Sequence, residues 1–310
     1  MTPTVLVSGA GGFVGREVLR RLTAQGVTAT GLDLGDGPPG VPCRRGDATS
    51  FADVARAVRA SGADTILALA ALLPDATEGD PYRAATVNPA AAATAAEVAR
   101  VLGLRRVVFA STIAVHGDQR GGEAVDEESP VRPNSLYGWS KAMAEAALAR
   151  FREQGVDAVS LRLGFVFGPG RLRGVGAWAD RFVADAVHSG RSHIPCRPEQ
   201  EFLYSYVGWV ADALAALALA DRPEHAVYHS GGLTVTARDL AVALADAVPG
   251  TTTTFDADAA PLPFVTRADG SRLAALMGRS HPPLAACMTD HRDRVMVHIH
   301  DRSAVQGRTS

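Results

Sequence analysis

The chain is poor in cysteine, has no long apolar run and carries almost no net charge, and each shortage closes off a class of protein. Its three cysteines, Cys43, Cys196 and Cys287, stand far apart with no CxxC pair. That spacing argues against a disulfide framework or a zinc site and suits thiols in a reducing cytoplasm. No stretch of about eighteen apolar residues is free of a charge or a breaker, so no membrane span is expected. The opening residues MTPTVLVSGAGG have no basic n-region and run straight into a strand pattern, which argues against a secretory signal. A formal net charge of -2 offers no attraction for nucleic acid or an anionic membrane. What is present is core-forming material: 47% hydrophobic and 21% charged residues in a chain of 310, enough for one large α/β domain or two domains. The expectation is a cytoplasmic globular protein.

The first half alternates short β-branched runs with longer alanine-rich stretches. Residues 4–8 (TVLVS) read as a buried strand, 13–25 as a helix with Val14, Val18, Leu19 and Leu22 on one face, and 27–32 as a strand ending at Asp33. The Gly- and Pro-rich segment 34–42 is a loop. A short strand reaches Arg45, and a helix over 51–60 is capped by Thr49 or Ser50. The run 65–70 is a strand covered on both faces, followed by an Ala-rich helix over 80–102, a strand at 106–110, a helix at 136–154 and a strand at 158–163. This repetition gives a doubly wound parallel sheet wrapped by helices. After Gly164 the rhythm changes. Residues 164–176 are glycine-rich and basic and read as irregular. Helices follow near 177–189 and 207–220 with a polar stretch between them. A strand at 226–230 rejoins the sheet, a helix covers 236–247, a weaker one lies near 269–277, and the final DRSAVQGRTS is polar and frayed. The reading is a dinucleotide-binding domain, 1–164 plus 207–232, with a smaller C-terminal lobe, 165–206 plus 233–310.

The chemistry begins at Gly9-Ala-Gly-Gly12-Phe-Val-Gly15, between the first strand and the first helix. Such a turn brings bare backbone to a pyrophosphate, and the helix start adds free N–H groups and partial positive charge. Asp33 ends the second strand 18 residues beyond Gly15, near the offset of about 20 at which a carboxylate accepts from the adenosine ribose hydroxyls. A carboxylate there favours NAD and repels the extra phosphate of NADP. Arg44 and Arg45 are the counterweight, because either could approach such a phosphate.

Tyr137-Gly-Trp-Ser-Lys141 opens a helix, and its i, i+4 spacing sets phenol and ammonium on one face. A free phenol near pKa 10 is too weak a base at neutral pH, and a neighbouring ammonium favours phenolate. The same lysine can hold the nicotinamide ribose. Thr112, preceded by Ser111, ends the fifth strand 25 residues before the tyrosine, at the sheet edge where doubly wound folds place their sites. Its hydroxyl can polarise a substrate oxygen.

With these residues in view, the chain resembles the extended short-chain dehydrogenase/reductases, the NAD-dependent epimerase/dehydratase family. Gly9, Gly12 and Gly15 match its GxxGxxG loop, with Phe13 and Val14 inside it, and Asp33 matches its ribose-binding acid. Gly46-Asp47-Ala48 is similar to the adenine-contacting segment, and Leu69-Ala70-Ala71 to the alanine pair after the fourth strand. Asn88 fits the buried asparagine. FASTIAVHG at 109–117 resembles SSxxVYG, Glu127 to Lys141 the ExxPxxPxxxYGxSK signature, and Leu161 to Gly170 the LRxxNVYGPG turn. The resemblance implies a Rossmann sheet of about seven strands with a small substrate lobe. It implies Thr112, Tyr137 and Lys141 as catalytic residues. NAD contacts then fall on the loop residues, Asp33, Asp47, Ala48, Leu69 to Ala71, Asn88, Ser111, Tyr137, Lys141, Gly164 and Val166. Substrate contacts fall on Leu73, Thr112, Tyr137 and Phe165. It also implies a homodimer through the helices holding Ala84 to Ala99 and Tyr137.

Departures from the pattern narrow the reading. Phe165 replaces the asparagine of the NVYGP turn, and Gly208-Trp209 replaces a pair of acids. Ile113-Ala114 follows Thr112 where sugar dehydratases carry Asp-Glu, which argues against elimination of water. HIH at 298–300 lacks the spacing of a closed ligand set, so no metal is expected. Arg171 and Arg173 are either solvated loop charges or contacts to an anionic substrate, and Trp178 and Trp209 pack the lobe. The function implied is NAD-dependent hydride transfer to or from a secondary alcohol or ketone carbon of a sugar, sugar acid or secondary metabolite, a small-molecule substrate. Epimerisation is the first alternative and a non-catalytic dinucleotide-sensing regulator the second.

Overall fold

The structure is a computed structural model. It describes residues 3–118, 122–172, 174, 176–263 and 265–306, with side chains of the last helix described as far as residue 297. Arg173 and the end of the chain after residue 306 lie outside the described residues, as do the side chains of 298–300.

The strands β1 (Val5–Ser8), β2 (Ala29–Asp33), β3 (Cys43–Arg45), β4 (Thr65–Ala68), β5 (Arg106–Thr112) and β6 (Ala158–Leu163) form one parallel sheet. After β7 (Phe165–Phe167), β8 (Arg191–Ile194) and β9 (Glu201–Tyr206), the strand β10 (Val227–His229) returns to it beside β6. The order is β10-β6-β5-β4-β1-β2-β3. Alternation along each strand serves both faces. Val5, Val7, Leu67, Val108 and Val159 pack on α1 (Phe13–Ala24) and α7 (Val207–Leu219). Leu6, Ile66, Val107, Phe109 and Ala158 pack on α2 (Phe51–Ser61), α4 (Pro81–Leu102) and α5 (Leu136–Glu153). Both faces being covered, the strands read as unbroken apolar runs.

Helix limits have local causes. Ser50 caps α2 by accepting from Asp53 N at 3.3 Å, and Asp80 caps α4 by accepting from Arg83 N at 3.0 Å. Gly62 and Gly103 end these helices in the left-handed conformation, where a Cβ would be strained. Ala91, Ala92, Ala95, Ala96 and Ala99 are buried along α4 and let α5 approach through Ala144 and Leu148.

Beyond Gly164 the structure differs from the sequence expectation in several places. The segment 164–176 holds a strand, β7, which pairs with β9. The polar stretch after α6 (Trp178–Ser189) holds β8 and β9, and β11 (Leu233–Thr236) and β12 (Thr252–Phe255) pair with them in sheets ordered β11-β9-β7 and β12-β8. These strands are short and flanked by glycine or polar residues, so periodicity alone does not mark them. Three helices complete the chain: α8 (Ala237–Ala247), α9 (Ser271–Met277) and α10 (Leu284–Gln306). A short α3 (Pro74–Glu78) precedes α4. The frayed end expected for 301–310 is helical through residue 306. Trp178 and Trp209 are buried, and Trp209 Nε1 donates to Ser230 O at 2.7 Å, as packing residues do. Among the described residues no helix is long and apolar enough to cross a membrane.

Candidate active site

The sheet reverses its direction of growth between β1 and β4, and the crevice beyond such a switch point is where doubly wound sheets take ligands. The loop after β1 stands there against the loop after β4. Gly9 has φ +73°, and a Cβ on it would lie 2.7 Å from Ala70 N; a Cβ on Gly15 would collide with Gly9 O. These two glycines are demanded by chain-on-chain contact. Gly12 is different: it is exposed, it is the N-cap of α1, and α1 has no side-chain cap. The first helical bond is Arg16 N to Gly12 O at 3.0 Å, so the amides of Phe13, Val14 and Gly15 precede it and point out of the helix start. A bare turn with free amides fits a pyrophosphate.

Asp33 is fixed beside that turn, its carboxylate accepting from Gly11 N at 2.9 Å and Gly35 N at 3.0 Å. Arg45 is its Cα partner across β2 and β3, and both Arg44 and Arg45 are exposed. Asp47 is exposed, with Oδ1 accepting from Thr49 N at 2.8 Å, and Ala48 is half-buried beside it. Leu69, Ala70 and Ala71 are half-buried and Leu73 exposed. Asn88 clamps this loop: its Oδ1 accepts from Leu72 N at 2.7 Å and its Nδ2 donates to Leu72 O at 3.1 Å and to Ser140 Oγ at 2.9 Å. Ser140 Oγ in turn donates to Tyr137 O at 2.8 Å. The asparagine therefore ties the β4 loop to the helix that carries the tyrosine.

Thr112, at the end of β5, lies close enough to the Tyr137 phenol to favour its ionised form, and its Oγ1 accepts from Ala114 N at 3.2 Å. Tyr137 lies in the first turn of α5, whose cap is Ser135, and its own amide donates to Glu78 Oε1 at 3.1 Å. One turn on, Lys141 is buried, donates from Nζ to Ala110 O at 2.8 Å and stands 5.9 Å from the tyrosine ring centroid. Burial pulls the lysine down to about 7, opposed by Glu145. Tyr137 keeps part of its surface exposed, but its phenolic end is desolvated and pushed up to about 12, with Arg171 and Thr112 working the other way. The expectation that Lys141 would lower the phenol is thus corrected: both groups are desolvated, and the counteracting charge is Arg171.

Ser111, Gly164 and Val166, three other expected contacts, bond within the protein. Ser111 Oγ donates to Glu145, Gly164 N donates to Ser230 Oγ at 3.1 Å, and Val166 is buried with its carbonyl taken by Arg171. Phe165 packs with Phe167, Trp178 and Phe202. Behind them runs a buried polar chain that motif reading passed over. Arg162 Nη2 donates to Glu145 Oε2 at 2.8 Å, Arg162 Nη1 reaches His116 Nε2 at 3.2 Å, and Glu127 Oε1 accepts from His229 N at 2.8 Å. The available signal was a charge and a histidine placed inside apolar strands. A second overlooked signal is that Lys141 is the chain's single lysine. Among the described residues no group of His, Cys, Asp or Glu is placed to hold a metal ion.

The family model described as "NAD dependent epimerase/dehydratase family" matches residues 5–228. D-erythronate dehydrogenase of Cupriavidus necator is 29% identical over 262 residues, covering 77% of this chain and 80% of that protein. UDP-glucose 4-epimerase of Azospirillum brasilense is 34% identical over 157 residues, 47% of this chain and 44% of that protein; this chain matches less than half of that relative's length. The crystal structure of the Thermus thermophilus UDP-glucose 4-epimerase in complex with NAD superimposes with TM-score 0.80 at 29% identity, over 94% of this chain and 99% of that one.

Proposed function

This chain belongs to the NAD dependent epimerase/dehydratase family, as an NAD-dependent epimerase/dehydrogenase of the extended short-chain type, and on that premise we propose that it is a dehydrogenase acting at a secondary alcohol or ketone carbon of a sugar, sugar acid or secondary metabolite. The observation that carries this reading is the meeting of the Thr112 hydroxyl and the Tyr137 phenol above buried Lys141. The likeness to a D-erythronate dehydrogenase over most of both chains supports it.

The chain's own residues divide the work. The amides of Phe13, Val14 and Gly15 take the pyrophosphate, and Asp33 takes the adenosine ribose and sets the preference for NAD over NADP. Asp47 and Ala48 flank the adenine, and Lys141 holds the nicotinamide ribose. Asn88 acts through the loop it clamps, Leu69 to Leu72. The nicotinamide, when bound, supplies or accepts the hydride. Thr112 and Tyr137 hold the substrate oxygen, Leu73 and Phe165 wall the pocket, and Tyr137 moves the proton. With its phenol near 12, Tyr137 rests protonated at neutral pH, the form that donates to a carbonyl oxygen. In the oxidative direction it must first lose that proton, which the positive charge of Arg171 assists. Residues 165–206 and 233–310 form the substrate side. The protein works as a homodimer in the cytoplasm.

The test follows NADH absorbance with a panel of alcohols and sugar acids. Net NADH formation that Tyr137→Phe cuts by roughly 10²–10⁴-fold, with NAD affinity kept, supports the reading. Full activity of that variant removes the tyrosine from the mechanism. Epimerisation uses the same residues and is favoured by the likeness to UDP-glucose 4-epimerases; it gives product with no net NADH. A dinucleotide sensor gives neither.

A further inference from the structure

Arg171 lies close enough to Tyr137 for each to perturb the other's protonation. The chain turns back after β7 through Gly168 and Gly170, both at positive φ. The turn lays the Arg171 guanidinium over the Phe165 ring at 4.7 Å from its centroid, and Nη1 donates to Val166 O. Gly176 makes room, because a Cβ there would collide with Cζ, Nε and Nη2. Burial drags the guanidinium down to about 10, the reverse of what an ion-paired arginine shows, and the phenol of Tyr137 is the group that favours its charge. Among the described residues no carboxylate pairs with it. The buried arginines Arg162 and Arg106 do have such partners, Glu145 and Asp157.

A desolvated guanidinium without a counter-charge is costly to keep, and its planar fork suits a carboxylate. We propose that Arg171 reads a substrate carboxylate: the substrate is a hydroxy acid, or the matching keto acid, whose carboxylate rests on Nε and Nη2 over Phe165 while its carbinol oxygen meets Tyr137 and Thr112. Resting on the dehydrogenase reading above, this narrows the substrate class from alcohols at large to anionic ones. In the oxidative step the carbinol C–H leaves as hydride to NAD⁺, the O–H proton passes to the Tyr137 phenolate, and the C–O single bond becomes a carbonyl. The carboxylate is unchanged and serves as the handle.

The experiment pairs acids with neutral compounds of like skeleton: galacturonate with galactose, erythronate with erythritol, and 3-hydroxybutyrate with 2-butanol. Each pair is assayed for NADH formation and, in the presence of NADH, for ligand-induced thermal shift. The wild type should favour at least one acid over its neutral partner by about a hundredfold in kcat/KM, the scale of a buried charge pair. Arg171→Gln should erase that preference, and Arg171→Lys should restore part of it, while NADH affinity stays within about twofold of wild type; the lost help to Tyr137 ionisation slows acid and neutral partner alike, so the ratio between them reports on the carboxylate alone. A wild type that prefers the neutral partners, or an Arg171→Gln variant that keeps the acid preference, overturns the assignment. Absence of turnover throughout counts against the dehydrogenase reading alone. The thermal-shift arm then decides for Arg171: an acid-dependent shift lost in Arg171→Gln supports it, and no acid-dependent shift in the wild type overturns it.

Discussion

His116 and His229 face each other through their Nε2 atoms at 3.2 Å, with Arg162 Nη1 reaching the same His116 nitrogen. Arg162 can only donate, so His116 Nε2 accepts and its proton sits on Nδ1, toward Pro130 O at 3.1 Å. His229 then donates from Nε2. Both rings are neutral, because a further proton would set positive charges side by side. Burial holds His116 below its ordinary value and brings His229 to about 3 and His281 to about 4.

Acid should therefore destabilise the protein before its carboxylates titrate. The unfolded chain binds these protons near pH 6.5 and the folded chain does not, so stability falls as pH drops below about 6.5. Each fully shifted histidine adds a slope of about 1.4 kcal/mol per pH unit. Urea midpoints at pH 7 and 5.5 should differ accordingly, and His229→Asn should flatten the dependence by one histidine's share. Equal midpoints would show that the pair is not neutral and buried.

Lys141 is the chain's single lysine, so its titration can be read without assignment. Nitrogen NMR on ¹⁵N-lysine-labelled protein should show a midpoint near 7, where burial holds it, against about 10.4 for a free side chain. The linked sign is definite: the unfolded chain binds this proton between the two values, so the lysine makes stability rise with pH across that window. Glu145→Gln should lower the midpoint further, since that carboxylate favours the ammonium. A midpoint above about 9.5 would mean that water reaches Nζ.

How far the sequence reveals this molecule depends on where the information sits. β1, β4, β5 and β6 are covered on both faces, so each shows as an apolar run between breakers, and the parallel sheet follows. β7 spans three residues beside glycines, and β8 and β12 are short partners whose pairing is set by residues some sixty positions apart. α10 keeps a helical period of buried positions at Cys287, Met288, His291 and Val295, but a histidine inside the apolar stripe and flanking charges disguise it. The cofactor turn, Thr112, Tyr137 and Lys141 are legible because their spacing is the chemistry. Ion pairs such as Glu145 with Arg162 join different elements, and only the fold brings them together. Arg171 stays ambiguous in one dimension, since sequence does not show that its loop turns inward.

Cofactor preference should rest on the charge of Asp33 more than on its shape. Its carboxylate holds Gly11 N and Gly35 N, and Arg45 stands opposite in register, ready to meet a phosphate once the repulsion is gone. Asp33→Asn should lower the ratio of NAD to NADP affinity about tenfold, a difference of about 1.4 kcal/mol. Asp33→Ala should weaken NAD more than NADP while also loosening the loop. Equal losses for both cofactors would leave Asp33 as a loop fixture only.

The homodimer can be tested on the outer side of the α4 and α5 pair. Trp139 and Met143 are 57% and 54% exposed one turn apart on α5, and Tyr82 at the start of α4 is 78% exposed. Large apolar side chains exposed on adjoining helices suit an interaction surface, and a two-fold axis would let such a surface cover itself. Light scattering at micromolar concentration should give twice the chain mass, and Trp139→Glu with Met143→Glu should give the mass of one chain without loss of helix signal. Because Tyr137 and Lys141 ride on the same helix, the separated chain should also turn over more slowly, through a less firmly held α5. A wild-type mass of one chain would remove the dimer and with it this support for the catalytic helix.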